Sequence, residues 1–379
     1  MKLDRESFNI GSCIGCGHCT FACPASHFER NFSPRGTAEN FVLHGMERLD
    51  LWSCLTCGAC RTVCPEGVEF PDFMRAVREE RRSTSIPVRS HAGIIDSIRS
   101  LDASGKGVGR SKDWVTDDMH LDPSSDVALF VGCLPMLDVV FKDLKVDLVG
   151  ILRSAVYILN EMEIRPRLLE GERCCGHDAY WLGEMDTFDR LARMNLDAIG
   201  RSKVKTIVTV CPECSNTLGQ IYSERFGDAG YTVMHITEVA AKGIEDGALK
   251  TGPDATVYTY QDPCRLGRHS GVYDEPREII STLGKLNEMP RSGETAACCG
   301  STCFAQCDHI VKKWQVARLE EARSTGADVL MTACPKCMIH LSCAQKDFGT
   351  YKNRPKIPLK DISVALADNM KRTKYERCE

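Results

Sequence analysis

The chain contains the segment CIGCGHCTFACP at residues 13–24, and the same cysteine spacing returns as CLTCGACRTVCP at residues 54–65. In each segment two residues separate the first three cysteines, a fourth follows after three more, and a proline comes directly behind it. A longer pattern of five cysteines is also written twice, farther along the chain. The shorter pattern uses eight cysteines and the longer one ten, so only four of the 22 lie outside a repeat.

The shorter pattern has the spacing of the bacterial ferredoxin motif, Cys-x2-Cys-x2-Cys-x3-Cys-Pro. The fourth cysteine of each motif ligates the cluster of the other motif, because the closely spaced trio reaches only three corners of a 4Fe-4S cubane. Structural zinc is the alternative for paired cysteines, but it needs no third, evenly spaced cysteine before Cys-Pro. The spacing therefore predicts two cubanes. The ligands are Cys13, Cys16, Cys19 and Cys64 for the first cubane, and Cys54, Cys57, Cys60 and Cys23 for the second.

Length and composition are those of an ordinary globular protein. With 379 residues the chain has room for two or three domains. A net charge of -4 supplies no basic surface for nucleic acid, and the longest apolar stretch, residues 127–137, is too short to span a bilayer. The first residues lack the apolar core of a secretory signal, and cysteines in cluster spacing favour a reducing compartment. We therefore expect a cytoplasmic protein that reaches the inner face of a membrane only through a partner protein.

Residues 1–82 are predicted to form an all-helical ferredoxin domain. Apolar residues recur at helical spacing over residues 37–51, and Pro71 occupies a tolerated first-turn position of a second helix over residues 71–82. The next segment, residues 83–125, is rich in Ser, Arg, Gly and Asp and is predicted to be a linker. Its glycine-rich stretch lacks the preceding strand and the lysine–serine pair of a phosphate-binding loop.

The remaining chain repeats one order of elements, which divides it into two copies at residues 126–252 and 253–379. Each copy has an apolar run ending at a cysteine, a Cys-Cys-Gly triplet, a helical stretch, and an apolar run ending at Cys-Pro-x-Cys. This order predicts a parallel sheet in an α/β module, with Cys133, Cys211, Cys264 and Cys334 just beyond the carboxyl ends of strands. The cysteines are Cys133, Cys174, Cys175, Cys211 and Cys214 in the first copy, and Cys264, Cys298, Cys299, Cys334 and Cys337 in the second.

The duplicated pattern resembles the paired CCG motif, Cys-xn-Cys-Cys-Gly-xm-Cys-x2-Cys, of the catalytic polypeptides of heterodisulfide reductases. A helical two-cubane domain followed by two such modules is similar to the D-type polypeptide of that family, or to its C-type and B-type polypeptides joined, over almost the whole chain. The resemblance implies one noncubane 4Fe-4S cluster on each five-cysteine set. The alternative is that each copy has two buried cysteines and one loop zinc, although ten cysteines in matched order exceed what zinc requires.

The resemblance also implies a reaction. In that family a small-molecule substrate of methanogenesis, the mixed disulfide of coenzyme M and coenzyme B, is held between the two noncubane clusters and cleaved to two thiols. Product thiolates need protons, and imidazole titrates near neutral pH, so a histidine beside the first triplet is a candidate donor. The predicted catalytic residues are His177, Cys174, Cys175, Cys298 and Cys299.

Other charged residues and four cysteines have open roles. His269 is a second candidate proton donor. Three charged residues flank ligand cysteines: Arg265, Arg268 and Lys336. They either bind anionic groups of the substrate or tune the cluster potential, or they are solvated surface charges. Cys303 and Cys307 closely follow the second triplet and are alternative ligands, a redox pair or core residues, with the core preferred. Two further cysteines, Cys343 and Cys378, are predicted to be bystanders.

Two related functions and one unrelated function remain as alternatives. The chain could be the electron-transfer component of a quinone-linked flavin dehydrogenase for glycolate, lactate or glycerol-3-phosphate, or part of a sulfite-reductase-linked complex that reduces a trisulfide. A zinc-bearing scaffold would be a different class. The sequence has no Rossmann glycine fingerprint, so we expect no flavin or NAD on this chain. Electrons should come from a donor protein, a membrane cytochrome b or a soluble flavoprotein, docked at residues 1–82.

Overall fold

The amino-terminal part of the chain is helical, as predicted. In this computed structural model, the structure describes residues 3–4, 6–28, 32–85, 90–106, 112–305, 307–346 and 355–376. The first five helices are α1 (His18–Ala22), α2 (Pro24–Phe28), α3 (Pro34–His44), α4 (Ala59–Thr62) and α5 (Phe70–Glu80). The Ser33 hydroxyl starts α3 by accepting a hydrogen bond from the Gly36 amide at 3.1 Å. Pro71 lies in the first turn of α5, where its missing N–H costs nothing.

The segment predicted as a linker contains a helix of its own, α6 (Ile94–Ala103). Its Arg99 side chain is buried and pairs with Asp96 at 2.6 Å and with Glu184 of the following module at 3.0 Å. Part of the glycine-rich stretch, residues 107–109, lies outside the described residues. The segment is therefore more than a connector, because α6 is fixed to the first module.

The two copies of the longer pattern form two α/β modules with the same topology. The first module contains β1 (Val127–Phe130), α7 (Leu134–Val140), α8 (Leu148–Glu161), β2 (Arg167–Leu168), α9 (His177–Trp181), α10 (Met185–Ser202), β3 (Thr206–Thr209), α11 (Pro212–Asn216), α12 (Tyr222–Phe226), β4 (Thr232–His235) and α13 (Ile236–Glu245). The second contains β5 (Val257–Gln261), α14 (Asp274–Leu283), β6 (Lys285–Leu286), α15 (His309–Ser324), β7 (Val329–Thr332), α16 (Pro335–Lys346), β8 (Leu359–Asp361) and α17 (Ile362–Glu376).

Each module has one parallel sheet, which confirms the predicted fold class. The strand order is β2-β1-β3-β4 in the first sheet and β6-β5-β7-β8 in the second. In the first sheet Val127 pairs with Thr206, and Thr209 pairs with His235. The two central strands of each sheet are almost wholly buried after their first residue, as expected for strands covered on both faces. The edge strands β2, β4, β6 and β8 were not predicted.

The strand ends place cysteines at one edge of each sheet. Cys133 follows β1 and Cys211 follows β3, while Cys264 and Cys334 occupy the matching positions behind β5 and β7. Parallel strands bring their carboxyl ends to the same edge, so the first and fourth cysteines of each set meet there. The predicted location of these four cysteines is confirmed.

The helical domain packs against both modules. The buried Arg78 of α5 donates hydrogen bonds to the carbonyls of Leu51 and Cys54 in its own domain, at 2.8 and 2.6 Å, and to the Trp181 carbonyl at 2.8 Å. On the other side, Phe28 stacks on Trp314 of α15 with ring centroids 6.4 Å apart. The helical domain, the first module and the second module therefore share buried contacts.

The second module also reaches back onto the first. Helix α17 packs on α8, and the Asn369 side chain exchanges two hydrogen bonds with the backbone of Gly252, at 2.8 and 3.0 Å. Lys374 pairs with Glu161 of α8 at 3.1 Å. The predicted boundary between residues 252 and 253 therefore lies in a segment that contacts both modules.

Replacing Arg78 tests the contact between the helical domain and the first module. We expect Arg78→Met to destabilise the protein by about 3 kcal/mol, because three buried carbonyls lose a charged donor together. The measurement is the urea midpoint of anaerobically prepared protein, followed by tryptophan fluorescence. The matched control is Arg82→Met, which removes a half-exposed arginine paired with Glu184 at 3.1 Å and should cost less than about 1 kcal/mol. Equal midpoints for the two variants would contradict the expectation.

Candidate metal centres

The eight cysteines of the ferredoxin-type motifs form two groups that exchange their fourth members. Cys19 interacts electrostatically with Cys13 and Cys64, so the last cysteine of the second motif has joined the first group. Cys23 of the first motif interacts with Cys54 and Cys57 of the second. This arrangement agrees with the exchange of fourth ligands that the sequence predicted, while the assignment of individual ligands stays a prediction.

The two groups differ in their exposure to solvent. The second group is buried, and burial raises the pKa of Cys23 to about 12 and the pKa of Cys54 to about 11. In the first motif Cys16 is exposed, and the apolar side chains of Ile14 and Phe21 in the same segment are 64% and 81% exposed. The first group is therefore the one that an outside molecule can approach.

The five cysteines of the first module converge on one point. The Cys175 and Cys214 sulfurs are 3.4 Å apart, and the Cys133 thiol is in hydrogen-bond contact with the Cys174 thiol. Cys211 in turn contacts Cys214. The backbone turns sharply after Cys175, because Gly176 precedes α9 with a left-handed φ of 86°. A Cβ at Gly176 would come within 2.9 Å of the Phe188 ring, so the turn requires glycine.

The five cysteines of the second module repeat this arrangement. The Cys299 and Cys337 sulfurs are 3.2 Å apart, and Cys298 contacts both Cys264 and Cys299. Cys334 contacts Cys337. Each module therefore presents a cluster of sulfur donors. Thiolates are soft ligands that suit iron–sulfur clusters.

Two contacts between thiols connect the separate sets. Cys211 of the first module is in hydrogen-bond contact with Cys334 of the second, and this contact lowers the pKa of Cys334 to about 6. Cys57 of the helical domain is in hydrogen-bond contact with Cys298, which lowers the pKa of Cys57 to about 5. The second ferredoxin-type group, the second module and the first module thus form one continuous series of sulfur sites.

The donor chemistry of these residues fits iron–sulfur clusters. Metal binding requires thiolates, whereas burial raises the pKa of Cys60 well above its ordinary value, and contacts with the Cys175 and Cys211 thiols do the same for the pKa of Cys214. A bound cluster removes that cost, because iron stabilises the deprotonated sulfur. A lone zinc in each module would use four sulfurs at most and leave a fifth buried thiol beside it.

A buried network of charges lies between the modules, beside the cysteine sets. The Lys336 ammonium pairs with the carboxylates of Asp178 and Glu213, each at 2.5 Å, and the three residues are at most 9% exposed. His177 Nδ1 lies 2.9 Å from Asp178 and 3.2 Å from Glu213. Lys336 comes from the second module and both carboxylates come from the first, so the network joins the two modules at the centre.

His177 is engaged at both ring nitrogens. Arg265 donates from Nε to His177 Nε2 at 2.9 Å, so the ring proton lies on Nδ1 and points at the carboxylates. Burial lowers the pKa of His177 to about 3. The role of His177 as a proton donor stays a prediction, and this geometry argues against it. Burial also lowers the pKa of His269 well below its ordinary value.

The arginines and the lysine beside the ligand cysteines are not solvated surface charges. Arg265 and Lys336 are 3% and 4% exposed. Arg265 donates to the Thr56 carbonyl and hydroxyl, both at 2.8 Å, and Arg268 donates to the Cys57 carbonyl at 2.8 Å. These two arginines hold the second ferredoxin-type loop against the second module, which explains why Cys57 reaches Cys298.

A cavity lies against the first five-cysteine set. Cys133 and Cys174 line it together with Arg99, Asp178 and Lys336. Its apolar wall consists of Ile95, Ile98, Met136, Leu137 and Phe304. Helix α6 also fixes the set directly, since Asp102 accepts a hydrogen bond from the Cys174 amide at 2.7 Å. This role of α6 was not predicted from the sequence, although Ile94, Ile95 and Ile98 have helical spacing.

Three of the four remaining cysteines lie in described parts of the chain. Cys303 is buried in the core that the modules share, which agrees with the preferred prediction. Cys307 and Cys343 are partly exposed and lie in contact with each other. Cys378 lies outside the described residues.

Comparisons with known proteins match both parts of the pattern. The model of the cysteine-rich CCG domain matches residues 127–219 and 258–342, and the model of the 4Fe-4S dicluster domain matches residues 9–68. A Helicobacter pylori crystal structure described as a hypothetical protein aligns with a TM-score of 0.52 at 12% identity. That alignment covers 81% of this chain and 59% of the other, and it shows the fold alone.

Curated relatives are components of redox systems. A probable membrane-anchored ferredoxin of Chromohalobacter salexigens is 29% identical over 96% of this chain and 60% of that protein. The D-type polypeptide of the dihydromethanophenazine:CoB–CoM heterodisulfide reductase of Methanosarcina barkeri is 30% identical over 60% of this chain and 56% of its own length. The B-type polypeptide of the fumarate reductase (CoM/CoB) of Methanothermobacter marburgensis is 29% identical over 95% of this chain and 74% of that protein.

The chain spans 60% and 56% of the length of the first two of these relatives. Within the part of the chain that the structure describes, no helix is both long and apolar enough to cross a membrane. Two copies of the CCG domain follow a 4Fe-4S dicluster domain, in the order found by the sequence analysis. The chain therefore belongs to the CCG-domain iron–sulfur proteins and is similar to the D-type polypeptide of heterodisulfide reductases.

Proposed function

We propose that this chain is the component of an oxidoreductase that cleaves a small disulfide at the paired five-cysteine sets, using electrons that arrive through the two ferredoxin-type groups. The observation that carries the proposal is the contact between Cys211 and Cys334, because it brings the two sets face to face. A disulfide has two sulfur atoms, and two opposed sites can receive one each. The ligands are the eight and ten cysteines assigned above, to two cubanes and two noncubane clusters.

The reaction consumes two electrons and two protons and yields two thiols, R–S–S–R′ + 2e⁻ + 2H⁺ → RSH + R′SH. Bound iron–sulfur clusters supply these electrons singly. The protein fixes the spatial order of the cysteine sets, since Arg265 and Arg268 keep the second ferredoxin-type loop beside Cys298. The protein also surrounds the sets with a low-dielectric interior, in which the buried ion pairs of Lys336 hold the two modules together.

The cavity beside Cys133 and Cys174 is the proposed binding site for one arm of an aliphatic disulfide. Apolar side chains from α6 and α7 form one wall, and Arg99, Asp102, Asp178 and Lys336 contribute charged groups of both signs. We propose disulfides with an aliphatic stem as the substrate class, to which the heterodisulfide of coenzyme M and coenzyme B belongs. The name of the Methanosarcina barkeri relative points to the same substrate.

A turnover assay tests the proposal. Anaerobic protein is mixed with a reduced viologen dye and offered the coenzyme M–coenzyme B heterodisulfide, a protein-bound trisulfide or a quinone in separate reactions. Oxidation of the dye with release of two thiols per disulfide supports the proposed reaction. Oxidation with quinone alone would overturn it.

A second candidate function is electron transfer to quinone without cleavage chemistry. It is favoured by the EtfAB:quinone oxidoreductase of Syntrophomonas wolfei, which is 25% identical over 88% of this chain. In that case the five-cysteine sets would be relay sites, and the cavity would hold no substrate. The quinone reaction in the same assay separates the two functions.

An electron donor should dock at the first ferredoxin-type group. Cys16 is exposed there, and the nearby stretch of chain also exposes the apolar side chains of Ile14 and Phe21. A membrane cytochrome b or a soluble flavoprotein is the proposed donor. A cytoplasmic site of action, with any membrane contact made through that donor, is part of the same proposal.

Filling the cavity tests where the substrate binds. Ile98 lines the cavity. We expect Ile98→Trp to raise the KM for the disulfide about tenfold, because a change of one to two methylene volumes in a binding pocket alters substrate affinity by about that factor. The matched control is Leu101→Trp, on the same helix at a side chain that is 56% exposed. KM is measured with reduced viologen and varied disulfide. Equal KM values for Ile98→Trp and Leu101→Trp would place the substrate elsewhere.

A further inference from the structure

Cys307 and Cys343 form a pair of thiols outside the four cysteine sets. Cys307 lies in the loop between the second Cys-Cys-Gly triplet and α15, and Cys343 lies on α16. Both are partly exposed, and their thiols are in hydrogen-bond contact. Two neighbouring thiols outside the four sets are therefore partly accessible from solvent.

A buried ammonium group holds one of these sulfurs. Lys312 Nζ lies 3.0 Å from Cys343 Sγ and 3.2 Å from the Gln315 side-chain oxygen. Lys312 is 6% exposed, so solvent does not dilute its charge at the sulfur. The geometry is that of an ion pair with a thiolate, in which Gln315 fixes the direction of the ammonium.

The charges around the pair favour one thiolate and one thiol. The hydrogen bond from Cys307, together with Lys312 and His91, lowers the pKa of Cys343 to about 5. The same bond raises the pKa of Cys307, and Asp308 adds to that rise. At neutral pH, Cys343 is therefore the nucleophile, and Cys307 keeps its proton.

A metal site and simple packing both fit these observations less well. An ammonium 3.0 Å from the Cys343 sulfur would repel a cation bound there. A packing cysteine is expected to be wholly buried, as Cys303 is, whereas Cys307 and Cys343 are open to solvent. A low-pKa, accessible thiolate beside a second thiol is the arrangement of a redox-active pair.

We propose that Cys343 and Cys307 are a redox-active dithiol that undergoes thiol–disulfide exchange with small-molecule disulfides, with Lys312 activating Cys343. The Cys343 thiolate attacks R–S–S–R, forming the Cys343–S–S–R mixed disulfide and releasing RS⁻. Cys307 then gives its proton to solvent and attacks the Cys343 sulfur, which forms the Cys307–Cys343 disulfide and releases a second RS⁻. The protein loses two electrons and the small disulfide gains them.

The new bond would join two parts of the cavity wall. Phe304, on the loop that carries Cys307, lines the cavity, and the Lys336 ammonium of α16 lies 5.0 Å from its ring. A Cys307–Cys343 bond would tie that loop to α16. The pair nevertheless acts without the clusters, because neither sulfur belongs to the four sets, and the inference does not depend on the proposed reaction.

Mass spectrometry tests the exchange. Anaerobic full-length protein is treated with oxidized glutathione, quenched in acid, alkylated and digested. We expect a Cys307–Cys343 cross-link in the unmodified sequence, glutathione trapped on Cys343 in Cys307→Ser, and no adduct at either position in Cys343→Ser. The control variant Cys378→Ser should match the unmodified sequence. An unmodified Cys343 in the Cys307→Ser variant would overturn the proposal, provided that its iron content and visible spectrum are unchanged.

Alkylation kinetics test the role of Lys312. At about pH 6 an ordinary thiol is roughly 0.3% ionised, so Cys343 gains about 300-fold in thiolate but loses about 30-fold in nucleophilicity. Its reaction with iodoacetamide should therefore be about tenfold faster than that of an ordinary thiol. We expect Lys312→Met to remove most of this advantage and Lys312→Arg to retain it. Equal rates for these two variants would overturn the activation by Lys312.

Discussion

Cys299→Ser is expected to lower disulfide reduction at least about 100-fold while leaving the electron paramagnetic resonance signals of both ferredoxin-type groups in place. Cys299 lies 3.2 Å from Cys337 and contacts Cys298, so it belongs only to the second five-cysteine set. An alcohol is a poor substitute for a thiolate ligand, and loss of one ligand removes the paired site at which a disulfide would be cleaved.

The measurements for Cys299→Ser are turnover with reduced viologen, iron per chain and low-temperature spectra of the reduced protein. Cys378→Ser is the matched control, since that cysteine belongs to none of the four sets. Normal turnover in Cys299→Ser would refute the proposed cleavage site. Loss of the ferredoxin-type signals as well would mean that the variant is misfolded, and Cys337→Ser then provides a second test of the same set.

Lys336→Met is expected to destabilise the protein by about 3–5 kcal/mol, because it leaves Asp178 and Glu213 buried without their countercharge. The cost comes from desolvation, since both carboxylates are buried at the junction of the modules. The measurement is the urea midpoint of anaerobic protein at matched iron content, because bound metal also stabilises the fold.

A triple variant separates charge from packing. Lys336→Met combined with Asp178→Asn and Glu213→Gln removes all three charges and keeps the side-chain sizes. We expect this variant to recover to within about 1 kcal/mol of the unmodified protein, since a neutral buried group does not need a countercharge. A triple variant as unstable as Lys336→Met alone would show that lost packing, not the unpaired carboxylates, causes the effect.

Much of the site was predictable because ligand spacing is a local property of the chain. The strands behind which Cys133 and Cys211 lie were visible as apolar runs, and α15 matches its predicted range, 309–324. The short edge strands were not predicted, because β2 has only two residues and carries too little pattern to read. Helix α6 was not predicted, because the segment that contains it has the average composition of a linker.

The sequence by itself determined that this is an iron–sulfur protein with two helical cysteine motifs and two α/β modules, because metal-ligand spacing and hydrophobic period are written in neighbouring residues. Only the tertiary structure decided which sets touch. The contact of Cys57 with Cys298, the ion pairs of Lys336 and the contact of Lys312 with Cys343 each join residues far apart in the chain. Such contacts depend on how the elements pack, and burial gives them their strength, because charges interact most strongly where water is excluded.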